Sequence, residues 1–302
     1  MLLEGKVAIV TGSGRGLGRA EALELARQGA RVVVQDLEVT RDGSAPTGHA
    51  SEEVAAEIRA AGGEAAVSHG DVANWDYARD LVQLAVDTFG SLDILVNNAG
   101  ILRDRMIFNL GEDEWDDVMR VHLKGHAATS RWATGYWRDK SKETGDPVYG
   151  RIVNTSSEAM FGSPGQPNYG AAKAGIAALT ISTARAVQRY GVTANAIAPR
   201  ARTRMTEDLG FMGEPSGDFD PWAPENVAPL VAALASPAAA NISGQVFIVY
   251  GGMVNVLAGP SIAQRFDTEG RWETEALAAT LEPFFATRRP IEDGFTGTAL
   301  AM

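Results

Sequence analysis

The sequence predicts one doubly wound α/β domain, a parallel sheet of seven strands with helices on both faces. Short runs that are apolar throughout recur along residues 6–250, and stretches with one apolar helical face separate them. A strand covered on both faces loses the in–out alternation of a half-exposed strand. Apolar runs alternating with helices therefore imply βαβ crossovers. Composition does not shift over these residues, and no repeat or low-complexity linker interrupts them.

In order, the strands are KVAIVT (6–11), RVVVQ (31–35), EAAVS (64–68), LDILVN (92–97), RIVNT (151–155), TANAIA (193–198) and QVFIVY (245–250). The first helices are LGRAEALELARQ (17–28), SEEVAAEIRAA (51–61) and YARDLVQLAVDTF (77–89). Three stretches exceed what a βαβ chain needs: a polar connection at 37–51, a Gly/Pro-rich excursion at 200–226, and residues 251–302 after the last strand. Loops of that length are commonly functional or mobile. The expected division is a catalytic domain over 1–250 and a C-terminal extension of the same domain over 251–302. A helix docked on a partner subunit is the plain alternative for the extension.

Bulk composition narrows the function classes. The chain has 302 residues, 45% hydrophobic and 22% charged, with no cysteine and a net charge of −11. Without cysteine there is no disulfide, thiolate nucleophile or zinc–cysteine site, which fits a reducing compartment. The negative charge argues against a nucleic-acid or anionic-membrane binder. Met1-Leu2-Leu3-Glu4-Gly5-Lys6 runs straight into the first strand with no room for a leader. The aliphatic stretch Val227–Ala240 is broken by Pro229, Ser236 and Pro237, too short for a membrane span. The expected location is the cytoplasm.

The stretch TGSGRGLG (11–18) joins the first strand to the first helix, with glycines at Gly12, Gly16 and Gly18. Residues without side chains let the backbone approach a pyrophosphate, and the helix N-terminus offers free N–H groups. Asp36 lies 18 residues past Gly18, at the end of the second strand. An acidic residue there suits a ribose 2′-hydroxyl and repels a 2′-phosphate, so NAD is the expected cofactor of a Rossmann-like site. Arg15 and Arg41 are the two cations able to weaken that preference. Leu17 joins the loop's contact set. Asp71, with Val72 after it, is a candidate acceptor for the adenine edge. Asn98, Ala99 and Gly100 end the fourth strand, where small residues leave room for a cofactor.

Tyr169 and Lys173 stand four apart on a predicted helix and share a face. An ammonium one turn away favours a phenolate and is expected to lower the tyrosine's pKa. Ser156, at the end of the fifth strand, is a candidate to hold a substrate oxygen.

Taken in order, TG-x3-G-x-G, the aspartate after the third strand, NNAG, a serine, and Y-x3-K thirteen residues later resemble the short-chain dehydrogenase/reductase family over residues 6–250. The resemblance implies that Tyr169 is the general acid/base. It implies that Lys173 binds the nicotinamide ribose and tunes the tyrosine, and that Ser156 polarises the carbonyl or carbinol. The stretches DILVNNAGILRDR (93–105), VHLKG, QPNYGAAKAGI, NAIAPRARTRMT and PENVAPLV look like the (3R)-hydroxyacyl-CoA dehydrogenase portion of peroxisomal multifunctional enzyme type 2 and its free-standing bacterial relatives. This implies an NAD-dependent oxidoreductase interconverting a 3-hydroxyacyl-CoA and a 3-oxoacyl-CoA. Alternatives are a steroid, terpenoid or other secondary-alcohol dehydrogenase, a 3-oxoacyl-carrier-protein reductase, and a non-catalytic NAD-binding regulator. The family also implies a homodimer or homotetramer. A small molecule is the expected partner, with no nucleic acid, membrane or metal.

Two positions depart from the family pattern. Many members have Pro-Gly after the sixth strand and a threonine five past the proline. Here Pro199 is followed by Arg200, with Thr203 at four and Arg204 at five, so Pro199 and Thr203 are candidates for the carboxamide end. His122 stands where many members carry the asparagine that anchors a proton-relay water. It reads as a core histidine bonded to a backbone carbonyl, as a replacement in the relay whose neutral imidazole accepts from water and donates to backbone, or as both; His126 one turn on gives no metal set. Arg103, Arg105, Arg200, Arg202 and Arg204 form a candidate rim for CoA phosphates. Phe211, Met212, Phe219 and Trp222 are a candidate apolar lid, with core packing as the alternative.

Overall fold

The computed structural model describes residues 1–39, 48–203 and 219–295. Arg41, Arg204, Phe211 and Met212 lie outside the described residues. Strand β1 (Val7–Thr11) is buried along its length, and α1 (Gly16–Arg27) leads from it to β2 (Arg31–Asp36). Helix α2 (Ala50–Ala60), β3 (Ala65–His69), α3 (Trp75–Phe89) and β4 (Ile94–Asn97) follow. Then come α4 (Glu112–Val118), a π-helical stretch Met119–Lys124, α5 (Gly125–Thr144), β5 (Gly150–Thr155), α6 (Pro167–Val187) and β6 (Val192–Pro199). Helix α7 (Ala228–Ala235), β7 (Val246–Tyr250) and β8 (Met253–Val256) close the sheet.

The strand order is β3-β2-β1-β4-β5-β6-β7-β8. All pairings are parallel except β7 with β8. The seven expected strands are present. The eighth arises because Gly251-Gly252 makes a two-residue reversal, with Gly251 at φ +50, and MVNV folds back on β7 as a half-exposed edge.

Two apolar layers hold the sheet. On one face Leu25 of α1, Ile58 of α2 and Val231 of α7 pack on Val10, Val34 and Val96. On the other, Leu81 of α3 and Trp137 of α5 pack on Ile9, Leu95 and Ile152. The winding reverses between β1 and β4, so their C-terminal ends leave a crevice uncovered by either crossover. That crevice is where open α/β sheets bind ligands. Pro167 starts α6, where its missing N–H costs no helical bond, and this brings Tyr169 and Lys173 to the same sheet edge.

The contacts divide the chain into Met1–Val256 and a second unit from Leu257 onward. Within the second unit, α8 (Thr274–Phe285) carries Phe284, whose ring meets Phe266 edge-on at 5.4 Å and lies under the Arg288 guanidinium. Among the described residues no helix is long and apolar enough to cross a membrane.

Candidate active site

The glycine loop is shaped by close packing within the protein. Gly12 has φ +63, and a Cβ there would stand 2.7 Å from Ala99 Cα. A Cβ on Gly18 would collide with the Gly12 carbonyl. Gly16, at φ +55, opens α1. The Asn98 amide donates to the carbonyls of Thr11 and Gly12 at 3.1 and 3.0 Å. Thr11 Oγ1 accepts the N–H groups of Asn98 and Ala99 at 3.0 and 3.1 Å. These bonds weld the β1 loop to the β4 turn. Gly18 and Asn98 thus serve the loop's shape at least as much as any ligand.

A cleft of about 200 Å³ opens over this junction. Gly12, Arg15, Gly16, Leu17, Asp36, Asp71, Val72, Asn98, Ala99, Gly100 and Thr203 line it; Gly18, Tyr169, Lys173 and Pro199 do not. Asp36 takes the Gly14 N–H at 2.9 Å and the Glu38 N–H at 2.7 Å, one on each oxygen. Asp71 takes the Ala73 N–H at 2.9 Å and pairs with Arg120. Its carboxylate is therefore already bonded twice. The side-chain-free loop and the cleft's length from Asp36 to Gly100 suit an extended dinucleotide.

Gln35, Ile101, Asp117, Arg120 and Val121, which the sequence did not point to, also line the cleft, as does Arg103 of the candidate phosphate rim. Gln35 accepts the Gly12 N–H at 3.3 Å and donates to the Gly70 carbonyl at 2.7 Å. A lone polar residue ending RVVVQ was its signal. Arg120 and Val121 belong to the π-helical stretch, which sequence pattern does not separate from ordinary helix.

The cleft's inner wall leads to the reaction centre through Ile101. Ile101, Val118, Val121 and Ala172 form a small apolar cluster against which Tyr169 packs. His122 is buried, with Nε2 3.1 Å from Ile101 N and 2.8 Å from Ile101 O. One tautomer accepts from the amide and the other donates to the carbonyl. Burial first, then the nearby Lys173 charge, hold His122 well below its ordinary pKa. It therefore stays neutral at physiological pH. The backbone-bonded reading matches the geometry.

The tyrosine and lysine also differ from expectation. Tyr169 is pushed up to about 12, chiefly by burial; a hydrogen bond with Ser157 opposes this and Asp104 adds to it. Lys173 is pushed down to about 7 by burial. Its Nζ donates to the Thr155 carbonyl at 2.6 Å and lies 5.3 Å from the Tyr169 ring centroid. Desolvation penalises both charged forms, and a neutral carbonyl cannot hold an ammonium as a carboxylate would. The pair is accordingly a neutral phenol beside a readily deprotonated amine.

Ser156 is buried and its hydroxyl donates to the Lys173 carbonyl at 2.8 Å. Ser157 is the neighbouring hydroxyl whose interaction opposes the rise in the Tyr169 pKa, and its Oγ accepts the Ala159 N–H at 3.2 Å.

The candidate phosphate rim is mostly neutralised. Arg103 pairs with Asp117, Arg105 with Glu114, Arg200 with Glu158 and Arg202 with Asp220. Trp222 is buried against Tyr250, ring centroids 4.4 Å apart, which is core packing, while Phe219 is exposed.

A family model described as short chain dehydrogenase matches residues 6–210. The chain belongs to the short-chain dehydrogenase family. Within it, the chain is 52% identical over 304 residues to hydroxyacyl-CoA dehydrogenase ChsB1 of Mycobacterium tuberculosis, covering 99% of this chain and 94% of that protein. It is 42% identical over 229 residues to peroxisomal multifunctional enzyme type 2 of Mus musculus, covering 76% of this chain and 29% of that one. The crystal structure of a short chain dehydrogenase from Mycobacterium avium superposes with a TM-score of 0.85 at 51% identity, covering 96% of this chain and 98% of that one. As a short-chain dehydrogenase, the protein acts on a CH–OH group with a nicotinamide dinucleotide.

Proposed function

We propose that this short-chain dehydrogenase interconverts a 3-hydroxyacyl-CoA and its 3-oxoacyl-CoA with NAD. The observation that carries the reading is that Tyr169, with Lys173 Nζ 5.3 Å from its ring centroid, packs on the cluster of Ile101 and Val121, two residues that also line the dinucleotide cleft. The thioester class follows the name of the 52% identical hydroxyacyl-CoA dehydrogenase ChsB1.

In oxidation, Tyr169 Oη takes the alcohol proton, and in reduction it returns it. Ser157 donates to the substrate oxygen as negative charge develops there. Lys173 holds a proton at Nζ and sits behind the phenol, poised near pH 7 to exchange it. The bound dinucleotide supplies the hydride acceptor or donor, and its oxidised ring brings the positive charge that favours a phenolate. His122 packs against the phenol and fixes its ring, while Gly100 leaves room for the imidazole. Asp36 at the cleft edge disfavours a 2′-phosphate. Gly12, Arg15, Gly16, Leu17, Asp71, Val72, Asn98, Ala99 and Gly100 complete the cofactor set, with Thr203 nearest the carboxamide end. We read the protein as a cytoplasmic homodimer or homotetramer, with residues 251–302 as an extension of the catalytic domain.

The test is a panel of 3-hydroxyacyl-CoA esters, steroid alcohols and 3-oxoacyl-carrier-protein, each assayed with NAD(H) and NADP(H). The reading requires fastest turnover with the CoA esters and NAD. A preference for NADP would overturn the Asp36 argument, and a preference for another panel member would overturn the thioester.

A further inference from the structure

Arg200 occupies the place after Pro199 where the family pattern has glycine, and its guanidinium grips Glu158 with two bonds. Nε donates to Oε2 at 2.5 Å and Nη2 donates to Oε1 at 2.8 Å. The side chains are only 17% and 31% exposed, so the pair is less screened than a surface ion pair, and fork-to-fork geometry fixes its direction. At its other end Arg200 is anchored to the sheet, its backbone N–H donating to the Val249 carbonyl of β7 at 3.0 Å.

Glu158 opens the short 3-10 turn Glu158–Phe161, and Ser157 caps that turn. Four residues of 3-10 helix are weakly stable by themselves. Two outside supports hold this turn. A Cβ on Gly170 of α6 would stand 2.7 Å from the Ala159 carbonyl, so turn and helix are in close contact there. Arg200 supplies the second support, from the sheet, at the residue next to Ser157.

From this geometry we infer that the Arg200–Glu158 pair is a positioning clamp that aims the Ser157 hydroxyl at Tyr169. Arg200 also begins the segment that reaches Thr203 on the cleft wall, so the clamp ties the serine turn to the strand end beside the cofactor. Neither clamp residue touches substrate in this account; both act through Ser157. The inference rests on the proposed dehydrogenase reading of Tyr169 and Ser157.

The test is a double-mutant cycle of Arg200→Gln, Glu158→Gln and the double variant, assayed with 3-hydroxyacyl-CoA and NAD. NADH affinity by fluorescence and Tm are measured on the same samples. Each single change lowers kcat by about tenfold, the size of coupling seen between side chains in contact. The double variant loses no more than either single one, and NADH affinity and Tm stay close to the parent's. Arg200→Lys, which keeps the charge and loses the fork, falls between. Single variants with the parent's kcat, additive losses, or a kcat loss matched by lost NADH affinity would each overturn the clamp. A parent protein that binds NADH yet oxidises no member of the panel would instead overturn the dehydrogenase reading, and the clamp with it.

Discussion

His122 stands edge-on to Tyr169, with ring centroids 5.2 Å apart and the planes at 88°. The π-helical turn Met119–Lys124 puts it there. Such turns add a residue to one helical turn and re-aim side chains, often at functional sites. Because Gly100 has no side chain, the imidazole fits against the β4 turn. His122→Asn keeps substantial turnover, since an amide also bonds a backbone group. His122→Ala loses most of it, because the phenol then faces a void. Unchanged kinetics in the alanine variant would remove His122 from the site. Its depressed pKa also requires that the rate profile of the parent show no inflection at the ordinary histidine value near pH 6.5 that the asparagine variant lacks.

Ser157 and Ser156 are adjacent hydroxyls with opposite surroundings, and their alanine variants separate them. Ser157→Ala removes the donor beside Tyr169 and costs about 10²-fold in kcat, the usual loss for one donor to a developing oxyanion. Ser156→Ala removes a bond to the Lys173 carbonyl and costs far less in rate, showing chiefly as a lower Tm. The reverse ranking would restore Ser156 as the catalytic serine.

Glu21 of α1 is fully buried, and neither carboxylate oxygen has a partner among the described residues. Burial pushes its pKa up from 4.5 to about 8. A raised folded-state pKa contributes stability that is complete below the unfolded value and is lost as pH rises through the folded one. Stability therefore falls across roughly pH 4.5–8, by a few kcal/mol at most. Glu21→Gln, which cannot ionise, flattens that slope and unfolds later than the parent at high pH. Thermal melts across the window check it; parallel curves for the two proteins would contradict it.

Seven strands and the cleft were legible in the sequence because each rests on a local rule. Strands buried on both faces must be apolar along their length, and a loop packed against Ala99 and its own carbonyl must be glycine at Gly12 and Gly18. The eighth strand was not legible, since MVNV is half exposed and only the Gly251-Gly252 reversal pairs it with β7. Choosing between Ser156 and Ser157 depends on which way one turn rotates them, and spacing carries no such information. Arginine pairing is likewise three-dimensional: Arg200 and Glu158 are bonded although 42 residues apart. The tyrosine's raised pKa follows from burial, which one turn of helix spacing does not reveal.

Everything proposed for the site turns on Tyr169 passing the substrate proton beside the dinucleotide cleft. Its most direct test is Tyr169→Phe, assayed for turnover of 3-hydroxyacyl-CoA with NAD and for NADH binding by fluorescence. Turnover is expected to fall to near background while NADH affinity stays close to the parent's. Turnover retained in the phenylalanine variant would contradict it.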